Sequence, residues 1–248
     1  MRAATELAQE IADSCADLLG DRLVAVILHG SLVLGDYSPA SSDVDFLAIV
    51  ERPLTDDELA ALAELVLARR GKAAGIDLRV VTRAVAGEPA ESPAMELDIG
   101  VHHDHEPELL RRIEGERDLV AELSMVRADG RSLVGPDPTA VVAAMPGEWV
   151  VTYGDEVIER WQQLTDDAEH ATLMVLTACR IWRFAVDGVH CSKTEAARWA
   201  LLQEPALPAV EAALRRRTGD TNVQIVPADI AALLARVRGE LARRYSAM

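Results

Sequence analysis

The sequence predicts an α/β domain followed by an all-α helical-bundle domain. Through residue 146, amphipathic helical patterns alternate with short apolar runs of strand length, the order of elements that builds a sheet covered by helices. At Met145-Pro146-Gly147 the texture changes. Beyond it, long patterns of 3.6 period follow one another without strand-like runs. The domains are therefore drawn at 1–146 and 147–248.

Taken in order, Thr5 to Leu19 reads as an amphipathic helix, with Leu7, Ile11, Cys15, Leu18 and Leu19 on one stripe. Leu23 to Leu28 and Val44 to Val50 read as strands. Thr55 followed by Glu58 is a capping-box signal for a helix running to Arg69. A third strand is expected at Ile76 to Val81. Glu88 to Glu106, rich in Pro, His and acid, reads as a loop carrying a site. Arg117 to Val126 is expected to be helical, and Ser132 to Pro138 a turn. The second domain offers helices at Glu156–Gln163, Ala168–Val186, Lys193–Leu202, Ala206–Arg217 and Pro227–Tyr245.

Composition narrows the function. The 248 residues are 50% hydrophobic, yet no apolar run approaches the length of a membrane span, and the N-terminus lacks a secretory core. The three cysteines, Cys15, Cys179 and Cys191, are odd in number and lack metal-ligand spacing, which fits a reducing cytoplasm. Acidic residues outnumber basic ones 41 to 25, for a net charge of −16. Such a surface repels nucleic-acid phosphates and attracts cations, so a small polycationic partner is expected and a nucleic-acid partner is not.

The densest chemistry lies in Leu28-His29-Gly30-Ser31 and Ser41-Ser42-Asp43-Val44-Asp45. Residues two apart on a strand share a face, so Asp43 and Asp45 aim at one point, where oxygen ligands suit a hard cation such as Mg²⁺. The turn at Gly30-Ser31, between two apolar strands, offers backbone N–H groups to a phosphate chain. Together they describe a nucleotide-plus-metal site suited to nucleotidyl transfer. Neither a P-loop nor a dinucleotide-binding glycine pattern occurs.

Gly-Ser, a spacer and Asp-x-Asp together resemble the nucleotidyltransferase superfamily of the DNA polymerase β type. That resemblance implies a mixed sheet and ATP as co-substrate, and it makes Asp77, alone in an apolar strand, a candidate third carboxylate. The second half resembles the aminoglycoside nucleotidyltransferases of the streptomycin 3''-/spectinomycin 9-adenylyltransferase family. The resemblance rests on Leu176-Thr177-Ala178-Cys179-Arg180-Ile181-Trp182, Ser192-Lys193, Ala196-Ala197-Arg198-Trp199-Ala200, Leu133-Val134-Gly135-Pro136 and Met95-Glu96-Leu97.

By that resemblance Asp43, Asp45 and Glu96 are metal ligands, with Asp77 a further one. Glu96 is also the base that deprotonates the acceptor hydroxyl. Gly30, Ser31 and Ser42, with Arg180 and Lys193, contact ATP. Trp161 and Asp166 stand where members that modify streptomycin as well as spectinomycin carry a tryptophan and an aspartate, and His170 occupies a position where an acceptor-binding aspartate is frequent. No tryptophan follows Glu96 at the spacing of another acceptor contact; Arg117 or a neighbour is there. The expected reaction is Mg²⁺-dependent transfer of AMP from ATP to a hydroxyl of an aminoglycoside by a cytoplasmic monomer, with pyrophosphate released.

The alternatives are nucleotidyl transfer to a protein or tRNA end, which the acidic surface disfavours, and a nucleotide-binding regulator without catalysis. The cluster His102-His103-Asp104-His105 invites a zinc reading, but neighbouring histidines make poor tetrahedral geometry without further ligands.

Overall fold

The computed structural model describes residues 1–220 and 222–245. It divides into two compact units, Met1–Pro146 and Gly147–Met248.

The first unit opens with α1 (Arg2–Leu19) and a 3₁₀ turn, Gly20–Arg22, leading into β1 (Leu23–His29), the short α2 (Gly30–Val33) and β2 (Asp43–Val50). Then come α3 (Asp56–Leu67), β3 (Gly75–Thr82), α4 (Arg83–Gly87), β4 (Met95–His102) and β5 (Glu108–Ile113). α5 (Asp118–Asp129), β6 (Arg131–Val134) and α6 (Pro138–Val141) complete it. The six strands form one mixed sheet in the order β5-β4-β3-β2-β1-β6, with β2 and β3 parallel and the other neighbours antiparallel.

The sheet has helices on both faces. On one, Leu7, Ile11 and Cys15 of α1 and Leu59, Leu62 and Val66 of α3 pack on Val26, Leu28, Val44, Phe46, Ile76, Leu78, Leu97 and Ile99. On the other, Leu119, Leu123 and Val126 of α5 cover Ala25, Ile27, Leu47, Ile49 and Val81. Alternate residues of β1 and β2 thus enter different cores, which is why these strands read as continuous apolar runs. α3 begins at the expected capping box: Thr55 accepts the Glu58 amide, and the Glu58 carboxylate accepts the Thr55 amide at 2.7 Å.

Two expectations about strands require correction. The segment read as a loop between Glu88 and Glu106 contains β4, in which Met95, Leu97, Ile99 and Val101 are buried while the residues between them are not. Charged and small residues on its open face hid the period of two. Ser132 and its neighbours, expected to be a turn, form edge strand β6 before the chain turns at Gly135.

The second unit comprises α7 (Gly147–Trp161), α8 (Ala171–Asp187), α9 (Lys193–Gln203), α10 (Pro208–Arg217) and α11 (Pro227–Tyr245). α8 is its centre: Val175, Leu176, Cys179 and Trp182 are buried among residues of the other helices. Trp182 meets Trp199 edge-on at 5.3 Å, and the Arg236 guanidinium lies 4.6 Å from its ring. Ser192 and Glu195 form a second capping box at the start of α9. Among the described residues, no helix is long and apolar enough to cross a membrane.

Candidate active site

The site is built at one end of the sheet of the first unit. Asp43 and Asp45 begin β2, and Leu47 and Ile49 carry the same face on into the core beneath α5. The parallel register places Asp77 beside Asp45 and Gly75 beside Asp43. Antiparallel β4 then places Gly100 opposite Asp77 and His102 opposite Gly75. Three aspartates and a histidine therefore share one end of one face.

Glycines make room for these side chains. Gly30 has φ 68, a conformation L side chains rarely adopt, and a Cβ there would overlap Oδ2 of Asp45. A Cβ on Gly75 would overlap Oδ1 of Asp43. Backbone therefore approaches both carboxylates closely. The Ser31 hydroxyl oxygen, in the same turn as Gly30, is buried without a hydrogen-bond partner. The Ser42 hydroxyl instead accepts the Ser38 amide at 2.9 Å, shaping the turn that delivers Asp43.

The electrostatics are those of a site short of positive charge. Burial, then the like charge of Asp43, push the Asp77 carboxyl up to about 6, against the opposing pull of His102 and Arg79. His102 reaches both acids: Nδ1 stands 3.4 Å from Oδ1 of Asp43, and Nε2 3.5 Å from Oδ1 of Asp77. Among the described residues, no set of three or more His, Cys, Asp or Glu side chains is disposed to hold a metal as it stands. The donor chemistry is nonetheless right for a hard cation: carboxylate oxygens in like-charge proximity, one of them driven toward protonation by burial and then by its neighbour.

Behind the aspartates lies a second polar layer. Arg79, two residues along β3 from Asp77, meets Glu122 at 2.5 Å and Asp118 at 2.6 Å, both on α5, and Asp98 of β4 at 3.4 Å. Burial pushes Glu122 up to about 7, with Arg79 opposing. His29, the cross-strand partner of Asp45, is 5% exposed and places Nε2 3.5 Å from Oε1 of Glu122. Arg79 thus pins α5 to the sheet just behind the carboxylates.

Glu96 is the correction that matters most. The resemblance places it with Asp43 and Asp45, but the β4 register does not. Gly100 is the residue opposite Asp77, and Glu96 lies four residues away, about 13 Å along an extended strand. Its carboxylate accepts the Leu54 amide at 3.0 Å, just beyond the far end of β2. Glu96 therefore holds the entry to α3. The third carboxylate that does join the pair is Asp77.

Comparison with known proteins follows the same division of the chain. Residues 8–89 match the nucleotidyltransferase domain, and residues 142–240 match the aminoglycoside adenylyltransferase C-terminal domain. The aminoglycoside (3'')(9) adenylyltransferase of Klebsiella pneumoniae is 30% identical over 205 residues, 74% of this chain and 73% of its own. The chain belongs to the aminoglycoside adenylyltransferase family. A spectinomycin 9-adenylyltransferase of Staphylococcus aureus is 27% identical over 201 residues, 77% of this chain and 75% of its own. Among solved structures, the spectinomycin adenyltransferase from Enterococcus faecialis with ATP and spectinomycin shares the fold. Its TM-score is 0.73 at 18% identity, covering 96% of this chain and 99% of that one.

In this adenylyltransferase the remaining expected site residues belong to the helical unit. Trp161 ends α7 and packs partly against the bundle core. Asp166 is exposed in the loop before α8. His170, at the start of α8, has Nδ1 2.8 Å from Oδ2 of Asp167, while Oδ1 of Asp167 accepts the Glu169 and His170 amides at 3.1 Å. Those bonds hold the Asp167 carboxyl below the usual range. Arg180 lies within α8 near the half-buried His190, which burial and the Arg180 charge push down to about 4. Lys193 is the first residue of α9.

In the sequence His102 is one of a run of histidines, and nothing local marks Arg79 or Glu122 or sets His29 apart from the turn that follows it. The signal for His102 was present. Once Leu97, Ile99 and Val101 are seen to alternate, Gly100 and His102 fall on the opposite face.

Proposed function

We propose that this enzyme transfers AMP from ATP to a hydroxyl of a cationic aminoglycoside or aminocyclitol, streptomycin or spectinomycin, with Mg²⁺, in the cytoplasm and as a monomer. The observation that carries the reading is the three-aspartate end of β2 and β3, with the Gly30–Ser31 turn closed down onto Asp45. Asp43 and Asp45, with one oxygen of Asp77, are the residues that would hold the metal ion. When bound, it offsets charge on the phosphates during displacement. The orphaned Ser31 hydroxyl is a donor for the triphosphate.

The acceptor hydroxyl attacks the α-phosphorus of ATP, the bond to the β-phosphate oxygen breaks, and pyrophosphate departs. The hydroxyl proton passes to a carboxylate oxygen of Asp77. Burial, the largest influence on Asp77, raises its affinity for a proton above that of an ordinary aspartate. Arg180 and Lys193 as cations for ATP phosphates, and Trp161, Asp166 and His170 as acceptor contacts, complete the proposal on the strength of the family resemblance. An indole face suits a sugar or guanidinium group, and a carboxylate pairs with a guanidinium. The net charge of −16 favours a polycationic acceptor.

The test is incubation with ATP labelled in the α-phosphate, MgCl₂ and either antibiotic. The reading requires a labelled antibiotic and stoichiometric pyrophosphate. Label appearing only in protein or RNA of an added cell extract overturns it.

A further inference from the structure

His102 takes no part in the transfer as derived, yet the fold makes a dedicated place for its ring. Nδ1 and Nε2 each face one aspartate, Asp43 at 3.4 Å and Asp77 at 3.5 Å. Beneath the ring the sheet is bare. Gly75 is the cross-strand partner of His102, and Gly100 lies two residues before it on the same strand. A Cβ at Gly75 would stand 2.5 Å from Nδ1, and one at Gly100 would stand 3.3 Å from Nε2 and 3.0 Å from Oδ1 of Asp77. Two side-chain-free positions on neighbouring strands thus form a bed for an imidazole lodged between two carboxylates.

That place is also where oxygens of Asp43 and Asp77 would have to turn to serve one cation. Hard divalent ions draw their oxygen ligands to about 2.0–2.6 Å. With the imidazole between the carboxylates, the described side chains form no ready metal site. A cation drawn to both of these carboxylates would stand between them, where the ring now lies.

We propose that His102 is a positioning residue that competes with the divalent cation for the oxygens of Asp43 and Asp77, and leaves its glycine bed when the cation binds. It stands between the like-charged aspartates while no metal is present. Metal affinity is reduced by the fraction of molecules in which the ring is lodged, so cation and nucleotide arriving together bind better than cation alone. The inference rests on reading the aspartates as a cation site.

The test is titration of the full chain with Mn²⁺ in the absence of nucleotide, free Mn²⁺ being read by electron paramagnetic resonance. The wild type, H102A, H102N and D43N are compared. H102A is expected to bind Mn²⁺ at least about threefold more tightly than wild type, with H102N between them. Equal affinity shows that the ring does not compete, and weaker affinity shows that it is itself a ligand; either overturns the proposal.

Loss of binding in D43N, with wild-type binding intact, keeps the cation reading standing whichever way H102A falls. If the wild type binds no Mn²⁺ and transfers AMP without divalent ions, both readings fail. A readout free of folding effects is the His102 ring resonance of the wild type, assigned by its absence in H102N. It is expected to shift on addition of Mg²⁺, and an unmoved resonance overturns the proposal.

Discussion

Asp77 and Glu96 are both strand acids of the same unit, but their positions give them opposite roles. D77N is expected to lower kcat for AMP transfer by at least about a hundredfold, the scale on which a positioned proton acceptor acts. E96Q keeps an oxygen able to accept the Leu54 amide at the entry to α3, so its kcat is expected to stay within about threefold of wild type. A label-transfer assay on both variants reads this directly. The Asp43–Asp45 pair was legible because spacing of two on a strand fixes a shared face whatever the strand pairs with. Glu96 was not legible. Which end of the sheet a residue occupies depends on register between strands, and β4, with Glu96, Asp98, Gly100 and His102 on its open face, does not read as a strand. Asp77 was legible only as an acid out of place in an apolar run.

At the scale of elements, the close approach of β3 to Asp43 is testable at Gly75. A methyl group there meets Asp43 and His102, so G75A is expected to destabilise the fold by about 1–3 kcal/mol and weaken Mn²⁺ binding. G147A, where a Cβ meets nothing, is the control. Arg79 fastens α5 to the sheet through Asp118 and Glu122. R79M leaves those acids without their cation and is expected to cost about 3–5 kcal/mol, read as a lower urea midpoint. α3 announced itself in the sequence because Thr55–Glu58 is a local pair. β5, by contrast, is an edge strand with its side chains mostly exposed, and Glu108-Leu109-Leu110-Arg111-Arg112 carries no alternation to betray it.

For the molecule as a whole, pH dependence follows from acids that burial pushes upward. Asp77 goes from 3.8 to about 6 and Glu122 from 4.5 to about 7, so the folded state holds more protons than the unfolded chain over that interval. Their stabilising contribution is complete below about pH 4 and is lost as pH rises through 6 and 7. His190, pushed down to about 4, works in the opposite direction up to about pH 6.5, so the readout is a comparison: in EDTA the wild-type urea midpoint is expected to fall relative to that of E122Q between pH 5 and pH 7.5. A relative rise over that range contradicts the Glu122 assignment.

The net charge of −16 acts at longer range. KM for streptomycin is expected to rise severalfold between about 50 and 300 mM salt, as screening removes attraction for a cation. This feature was readable from composition alone, since it needs no fold.

The account turns on three aspartates at one end of β2 and β3 forming the transfer site. The most direct measurement is AMP transfer from α-labelled ATP to streptomycin and spectinomycin by D45N, D77N and E96Q, each verified as folded by its urea transition. The account predicts that D45N and D77N lose transfer while E96Q retains it. Transfer surviving in D77N but abolished in E96Q contradicts it.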